Sequence, residues 1–580
     1  MPKHTFFAMK ITFKTLLLLI ILMPFTINSQ INIKDYEAQW EGKLPNKNTF
    51  NFHVSIEDLG NNTYHFKLSN TLFSFDKIVQ STSDKHLQFN IHKGLSFTGE
   101  INKTNTEIRG FINSGIYLYH TKLVKTAAQN FKGTWNVFLL NELLSTAIFL
   151  SIENVQAKSF DAFPFFGDKR FAGTWCMNAQ KKNNTITFQD VRTGLGFKGK
   201  LLTDSIELSI LLADKPIATT TLTRSTKDWA FKDLSATTNK TSIPSELNDG
   251  WQIAPLKKQS LLKQLEDSIL AKKLVKTHSV LIAKSGKLIY EKYFSGYTSL
   301  TTHDQRSASK SISSALIGIA IDNKIIKDDN ELFYNYIPNE FQYTKQGTKS
   351  TIKLKDLLSM SSGIDAVDFG TKRTSLASEP NYQNSPNWLK TVLEAPMLHP
   401  PGTVANYGSA NPYLLGIALS NAVSKPLELF VDRALLHPLG IANYVLQKDM
   451  NNTPYFGGGM YLTPRDMLKF GQLYLQKGSW NGKQIISEKW VEKSFKNYRE
   501  LQNTKDKNGY GYLWWHKTYK VHKKEIKSIE ARGAGGQYIF VIPTLDVVVV
   551  ITSGNYRNGK FQQPEKILER YILPTLLNLK

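Results

Sequence analysis

The chain has 580 residues, a length that allows about four domains at about 150 residues each. Apolar residues make up 41%, aromatic residues 12% and charged residues 21%, and this composition excludes a wholly disordered, collagen-like or coiled-coil protein. With 72 Lys and Arg against 48 Asp and Glu, the formal net charge is +24, which favours contact with anionic surfaces and leaves the fold open.

The N-terminus has the pattern of an export signal. Lys10 and Lys14 precede an apolar run at 16–23, and polar residues follow at 26–30. The run is shorter than the ~20 residues of a membrane-spanning helix, so residues 1–29 are predicted to be a cleaved secretory signal, with an uncleaved anchor as the alternative. No cysteine directly follows the run to carry a lipid, and no later segment is predicted to cross a bilayer. We therefore expect a soluble, exported protein, periplasmic or extracellular, without an anchor after signal removal.

The sequence that follows the signal has the pattern of β-strands. Short runs such as 50–56 alternate apolar and polar residues and are separated by Gly, Asn and Asp. Two stretches echo each other, since a Trp lies two residues from a Gly at Trp40 and at Trp135, and 94–99 matches 194–199 in its glycines and its Phe. We predict two copies of one all-β module, at 30–130 and 131–225. The alternative is that aromatic and glycine positions recur in any β-meander.

A linker and a second domain are predicted next. At 226–256 Ser, Thr, Asn, Lys and Asp dominate, and two prolines interrupt any regular pattern. A helical spacing at 261–270 is then followed by two apolar runs that flank 284–287, as in a hairpin. Helical segments fill the middle, and apolar runs near the C-terminus predict two closing strands. Strands at both ends with helices between them predict an α/β domain at 257–580 whose terminal strands share one sheet.

A Ser-x-x-Lys motif carries the first chemical signal. Residues three apart on a helix lie on one face, so the lysine amine can reach the serine hydroxyl. The motif begins at Ser74, Ser260, Ser307 and Ser350, and only the pair Ser307 and Lys310 opens a helix with an apolar, small-residue body. A serine there lies on the first helical turn, where free N–H groups favour a developing oxyanion. The other three lysines are interpreted as solvated.

Two glycine-containing loops extend this signal. The segment 401–411 delivers Tyr407 just before an apolar helix, and 531–537 contains three glycines before the strand at 538–542. Such glycine density lets a backbone approach a substrate closely. Each loop alone would be interpreted as a turn, but the order and spacing of all three segments are hard to obtain by accident.

With these motifs, residues 255–575 resemble the β-lactamase and penicillin-binding-protein-like serine hydrolases, in particular the class C-like branch of esterases, D-aminopeptidases, carboxypeptidases and amide-oligomer hydrolases. The segment 357–363 and the glycine-rich final strand add to the resemblance. It implies a β-lactamase-like domain in which an antiparallel sheet is flanked by helices, with a helical subdomain. It also implies that Ser307 is the nucleophile, that Lys310 is its activating amine, and that Tyr407 is the first residue of the family's Tyr-x-Asn element.

Two departures from the family pattern bear on the substrate. Ser409 stands where the pattern has Asn, and it offers a hydroxyl in place of an amide. Ala531-Arg532-Gly533 aligns with the Lys-Thr-Gly or His-x-Gly of penicillin-recognising members, so the lysine that grips a substrate carboxylate is absent. Whether Arg532 contacts substrate stays open. These departures disfavour a true β-lactamase and favour cleavage of an ester or amide, including a peptide bond.

The expected mechanism follows from acid-base chemistry. A serine hydroxyl is a poor nucleophile at neutral pH, and a lysine at its ordinary pKa of about 10.4 is a poor base, so burial has to lower the pKa of Lys310 or Tyr407 has to share the proton. Which of the two is the general base is disputed within the family. The N–H groups of Ser307 and Ala534, the latter just after Gly533, are expected to hold the oxyanion.

The sequence also contains evidence on other classes of function. No Gly-x-Ser-x-Gly elbow, His-x-His or His-Glu-x-x-His motif occurs, which argues against an α/β-hydrolase triad and a zinc hydrolase. The only cysteine, Cys176, cannot form an internal disulfide, and no metal or organic cofactor is implied. A non-turnover acyl-binding sensor or an envelope-binding protein on the same fold is the main alternative. Nucleic acid binding lacks a motif, whereas an anionic cell-envelope surface stays open as a partner beside a small-molecule or peptide acyl substrate.

Overall fold

The structure is a computed structural model that describes residues 32–81, 85–127, 129–140, 142–156, 159–171, 173–225, 244–256, 259–370 and 374–578. The predicted signal sequence and the first part of the predicted linker, 226–243, lie outside these residues. An all-β region comes first along the chain, and an α/β domain follows it. This order confirms the predicted fold class.

Sixteen strands form the all-β region within the described residues. Most of them alternate buried and exposed residues, as Asn51–Gly60 does, because one face of each sheet covers an apolar interior and the other faces solvent. The strands are β1 Gln39–Lys43, β2 Asn51–Gly60, β3 Thr63–Ser69, β4 Ser74–Gln80, β5 His86–His92, β6 Leu95–Ile101, β7 Glu107–Ser114, β8 Tyr117–Ala127, β9 Asn130–Asn136, β10 Ala147–Glu153, β11 Asp161–Phe166, β12 Cys176–Lys182, β13 Thr185–Asp190, β14 Gly196–Leu202, β15 Ser205–Leu212 and β16 Lys215–Arg224.

The strands make two antiparallel meanders that exchange one strand. The strand β9 pairs with β2 and β8 in the first meander, whereas β1 pairs with β10 and β16 in the second. The strand that opens each predicted module therefore completes the other meander, so the strands do not follow the predicted division at 130 and 131. The echoed segments occupy equivalent places, because Phe97 of β6 stacks on Phe89 of β5 and Phe197 of β14 stacks on Phe188 of β13.

The α/β domain is built on one sheet with the order β17-β19-β18-β30-β29-β28-β27-β26-β25. Adjacent strands in this sheet run antiparallel, except that the short strand β17 pairs with β19 in parallel. The first and last long strands, β18 and β30, are adjacent, as the sequence predicts. The strands of this sheet are β17 Gln252–Ile253, β18 Thr277–Lys284, β19 Lys287–Tyr293, β25 Arg499–Glu500, β26 Gly509–Tyr510, β27 Trp515–Val521, β28 Lys524–Gly533, β29 Gln537–Ile542 and β30 Val547–Ser553. The short strands of the domain outside it are β20 His303–Asp304, β21 Val445–Gln447, β22 Met460–Leu462, β23 Ser479–Trp480 and β24 Lys483–Gln484.

Helices cover both faces of this sheet. The described α-helices are α1 Ser260–Leu270, α2 Lys310–Asp322, α3 Leu354–Leu358, α4 Glu379–Gln383, α5 Trp388–Glu394, α6 Ala410–Ala422, α7 Leu427–Val431, α8 Pro464–Leu475, α9 Glu488–Phe495, α10 Gln563–Ile567 and α11 Leu573–Leu577. Helices α1, α10 and α11 pack on one face, and α2, α6 and α8 share an apolar core with the other face. In the described ranges no single helix is long and apolar enough to span a membrane, although α6 and the segment Leu427–Leu436 meet the criterion together across a 97° bend.

The last part of the predicted linker, 244–256, is bound to the α/β domain. Trp251 is buried, and β17 adds a parallel edge to the sheet. The Arg465 guanidinium donates to the Ser245 carbonyl and forms ion pairs with Asp249 and Glu291. These contacts order a segment whose polar, proline-containing composition predicts a free connector.

Candidate active site

Ser307 and Lys310 lie at the start of the buried helix α2 in the α/β domain. A 3-10 turn, Arg306–Ser309, carries Ser307 and runs directly into α2, which begins at Lys310. The Lys310 Nζ donates to the Ser307 Oγ at 2.9 Å and also to the carbonyl oxygen of Gly457. Lys310 is buried, as is nearly all of α2, and its amine is directed at the serine.

The surroundings of Lys310 shift its protonation toward the neutral amine. Burial lowers the pKa of Lys310, and the nearby carboxylates of Glu379 and Asp368 oppose this shift without cancelling it. A buried amine with a lowered pKa next to a hydroxyl is better able than an ordinary lysine to accept the hydroxyl proton.

Tyr407 completes the trio that the sequence predicts. Burial raises the pKa of Tyr407 well above its ordinary value, and a hydrogen bond with Ser307 only partly offsets this. Its ring lies 5.4 Å from the Lys310 Nζ, stacks on Phe369 at a centroid distance of 5.3 Å and contacts the tilted ring of Trp515 at 5.1 Å. The structure thus brings Ser307, Lys310 and Tyr407 together, with the phenol held by aromatic contacts.

Asn503 holds the Tyr407 backbone in place. Its Oδ1 accepts from the Tyr407 N–H at 2.7 Å, and its Nδ2 donates to the Tyr407 carbonyl at 3.1 Å. The sequence analysis missed this residue. Asn503 follows Tyr407 by almost a hundred residues, and no motif around it distinguishes it from other asparagines in loops.

Ser409 is buried directly before helix α6, two residues after Tyr407, but its hydroxyl is already bonded within the protein. The Ser409 N–H and Oγ both donate to Asp368 Oδ2, at 2.8 Å and 2.6 Å. Asp368 also accepts from the Glu379 N–H at 2.9 Å, and Glu379 accepts from the Tyr455 hydroxyl at 2.6 Å. The serine thus anchors a carboxylate pair beside Lys310. Neither carboxylate was predicted, because Asp368 lies in a loop and Glu379 begins the five-residue helix α4, which is too short to show a periodic pattern.

Gly533 brings the end of β28 against the backbone that precedes Ser307. A Cβ built on Gly533 would lie 2.1 Å from the carbonyl oxygen of Gln305, so only glycine permits this approach. Ala534 follows on the surface, and within the described residues no backbone hydrogen bond engages its N–H or that of Ser307. Both N–H groups are thus free to face an oxyanion.

We expect Gly533→Ala to lower kcat about 10²-fold, because the added methyl pushes β28 off Gln305 and displaces the Ala534 N–H by about an ångström. Steady-state kinetics with an activated ester measures this effect. The matched control is Ala534→Gly, which keeps the N–H and should retain kcat within about threefold. Equal kcat values for the wild type and Gly533→Ala would show that this approach does not matter for catalysis.

The Arg532 side chain binds two acidic residues, Glu530 of its own strand and Glu565 of helix α10. Its Nε donates to Glu530 at 2.7 Å, and its Nη1 lies 3.5 Å from Glu565. The guanidinium lies over the Trp515 ring at 4.9 Å, and its buried Nη2 has no hydrogen-bond partner among the described residues. Trp515 thus contacts both Arg532 and Tyr407, and the Arg532 charge opposes the rise in the pKa of Tyr407. The buried Ala531 leaves no cation at the position of the family's lysine.

The chain was compared with curated proteins and with solved structures. It is 25% identical over 187 residues to the Escherichia coli (strain K12) protein named "Putative D-alanyl-D-alanine carboxypeptidase", which covers 29% of this chain and 42% of that protein. It is 26% identical over 176 residues to an uncharacterized protein of Mycobacterium tuberculosis (strain CDC 1551 / Oshkosh), over 25% of this chain and 43% of that protein. The chain therefore spans less than half the length of these curated relatives.

Two solved structures illustrate the similar folds. A β-lactamase/D-alanine carboxypeptidase from Yersinia pestis, complexed with citrate, is 17% identical and covers 55% of this chain and 98% of that chain, with a TM-score of 0.42. An octameric penicillin-binding protein homologue from Pyrococcus abyssi is 18% identical and covers 55% of this chain and 76% of that chain, with a TM-score of 0.42.

The family assignment rests on a family model. The model described as Beta-lactamase matches residues 262–570, which is more than half of the chain. The matched range includes Ser307, Lys310 and Tyr407, the three side chains that the structure brings together. The chain therefore belongs to the beta-lactamase family of serine hydrolases, as its sequence motifs predict.

Proposed function

We propose that the chain is an exported serine hydrolase that cleaves an ester or amide bond through an acyl-enzyme on Ser307. The observation that carries this proposal is the 2.9 Å contact between Lys310 Nζ and Ser307 Oγ, made by an amine that is buried with the serine as its partner. Neutral Lys310 takes the Ser307 proton while Oγ attacks the substrate carbonyl, and the N–H groups of Ser307 and Ala534 stabilise the oxyanion.

The second half of the reaction uses the same groups. Collapse of the tetrahedral intermediate breaks the bond to the leaving group, which takes the proton from Lys310 directly or through the Tyr407 hydroxyl. Water then attacks the acyl carbonyl and gives a proton to this pair, and when the second tetrahedral intermediate collapses the acid leaves and the pair returns that proton to the Ser307 Oγ. Because burial lowers the pKa of Lys310 and raises that of Tyr407, Lys310 is the better base at neutral pH.

Ester or amide substrates are favoured over β-lactams because of the charges around the cleft. Ala531 supplies no cation, and Arg532 is paired with Glu530. Hydrolysis of p-nitrophenyl esters and amino acid p-nitroanilides by the wild type and by Ser307→Ala tests the proposal. Turnover that disappears in the variant supports it. A single burst of p-nitrophenol without turnover would replace it with the acyl-binding sensor.

Export is part of the proposal and rests on the sequence of residues 1–29 alone. The basic residues and short apolar run before residue 30 support it. Expression of the full chain in a Gram-negative host, followed by mass spectrometry of the N-terminus, tests it. We expect cleavage near 29–31 and recovery in the periplasmic or culture fraction, and an intact N-terminus on cytoplasmic protein would contradict it. An anionic envelope surface is the partner that the charge of +24 favours.

The pH dependence of turnover should report Lys310. Activity requires the neutral amine, so it rises as the pH rises through the pKa of Lys310. The Glu379 carboxylate raises that pKa, and Glu379→Gln should therefore move the acidic limb of kcat/KM to lower pH. Asp368, Tyr407 and the Gly457 carbonyl still face the amine in this variant.

A matched control for this prediction is Glu266→Gln, which removes a buried carboxylate that bonds Tyr290 on the other face of the sheet. The acidic limb of this control should coincide with that of the wild type. An unshifted limb in Glu379→Gln would show that the Glu379 charge does not reach Lys310.

A further inference from the structure

The all-β region is joined to the catalytic domain by a continuous strand ladder. On one edge β8 pairs along its length with β7, and on the other edge its last residues pair with β9. Its first residues pair on that second edge with β21 of the catalytic domain, from Tyr117 opposite Gln447 to Tyr119 opposite Val445. Backbone hydrogen bonds from Lys448 to Ile116 and from His120 to Tyr444 extend this ladder at both ends.

The strand β21 belongs to a hairpin that reaches the catalytic residues. Its partner β22 pairs with β20, where Tyr461 lies opposite Asp304, and the Gln305 N–H donates to the Met460 carbonyl at 2.9 Å. The loop between β21 and β22 contains Gly457, whose carbonyl accepts from the Lys310 Nζ. One hairpin therefore holds both the segment that leads into Ser307 and the carbonyl that orients Lys310.

The residue before Ser307 needs such support. Arg306 has a φ of 49°, a left-handed conformation that is strained in a residue other than glycine. Its N–H donates to Asp304 at 3.0 Å, and its side chain also pairs with that carboxylate. A strained backbone persists only where its neighbours fix it, and here the neighbours are β20 and β22.

Side chains of the first meander brace the same hairpin. The Tyr117 and Tyr461 hydroxyls are 2.9 Å apart, and their rings meet edge to face at 5.5 Å. Lys448 Nζ donates to Asn113 at 2.6 Å. Tyr117 thus contacts the residue of β22 that lies opposite Asp304.

We infer that the all-β region is a positioning element of the active site, in which β8 and Tyr117 hold the hairpin that fixes Arg306, Ser307 and Lys310. This inference rests on the proposed function, since it concerns the rate at which Ser307 is acylated. Tyr117 is a positioning residue, because it acts through Tyr461 and touches no reacting atom. The region therefore contributes to catalysis whether or not it also binds a ligand.

The test measures kcat, KM and the rate of Ser307 phosphonylation in the full chain. Tyr117→Phe and Tyr461→Phe should each lower kcat and the phosphonylation rate about fivefold to tenfold, the effect of one lost buried hydrogen bond, with KM unchanged. The double variant should be no slower than either single variant, because both changes remove the same bond. The control is Glu100→Gln, which removes ion pairs to Lys425 and Arg433 at the rim of the same interface and should leave both rates unchanged.

A purely structural role would give a different result. If Tyr117→Phe lowers the melting temperature but keeps both rates within twofold of the wild type, the inference is wrong. Equal loss of rate in Glu100→Gln would also overturn it. Ser307→Ala separates this inference from the proposed function: labelling that survives in that variant defeats the proposed function, whereas normal rates in Tyr117→Phe defeat only the inference.

Discussion

Lys310→Met is expected to reduce ester turnover about 10³-fold, which is the usual cost of removing a positioned general base. The variant should keep its fold. Methionine has a similar length without the amine, so it relieves the burial of a polar group that is only 1% exposed. Turnover and thermal melting are measured on the same preparation, and we expect the melting temperature to stay constant or to rise.

Lys349 provides the matched control for this prediction. It is also a buried lysine whose pKa is lowered by burial, and its Nζ donates to a backbone carbonyl, that of Leu393. It lies outside the site formed by Ser307, Lys310 and Tyr407. Lys349→Met should therefore retain turnover within about twofold. If Lys310→Met keeps more than a tenth of the wild-type activity, Lys310 is not the base.

Arg109→Met is expected to destabilise the protein by about 3–5 kcal/mol, the cost of removing one partner from a buried ion pair. Arg109 of β7 donates to both oxygens of Asp432 in the catalytic domain, at 2.8 Å and 2.7 Å. Burial alone would raise the pKa of Asp432, but the bonds from Arg109 outweigh it and lower that pKa. The neighbouring His120 cannot replace the cation, since burial lowers its pKa to about 4.

Urea unfolding of single and double variants measures this effect. Asp432→Asn added to Arg109→Met should recover part of the lost stability, because the amide can still accept from Tyr444 without carrying a charge. Glu100→Gln serves as the control, because the cations that Glu100 pairs with are exposed, and it should cost no more than about 1 kcal/mol. An Arg109→Met variant as stable as the wild type would mean that the two regions are not coupled through this pair.

The catalytic trio could be predicted from the sequence because its signals are local. Ser307 and Lys310 are three residues apart, and Tyr407 lies in a proline- and glycine-marked loop before an apolar helix. The closing strands were equally clear, since Gln537–Ile542 and Val547–Ser553 are apolar on both faces and a buried strand requires that. Their adjacency to the opening hairpin followed from the domain architecture.

The rest of the site depends on contacts between distant segments. Asp368 and Asn503 lie in loops and Glu379 begins the short helix α4, and only the folded chain brings them beside Lys310 and Tyr407. For a related reason, the exchange of β1 and β9 between the two meanders could not be predicted from the sequence. The strands β1 and β9 each bury a Trp and each close a meander, so the sequence does not say which meander each of them joins. The pairing of β8 with β21 could not be predicted either, because both segments have the ordinary residue pattern of β-strands.

Peptide mapping by mass spectrometry after treatment with a serine-reactive phosphonate tests the central claim most directly. The account predicts one adduct per chain, located on Ser307, absent from Ser307→Ala and formed far more slowly in Lys310→Met. An adduct on a different serine, or labelling that persists in Ser307→Ala, would contradict the assignment of Ser307 as the nucleophile and the roles of Lys310 and Tyr407 with it.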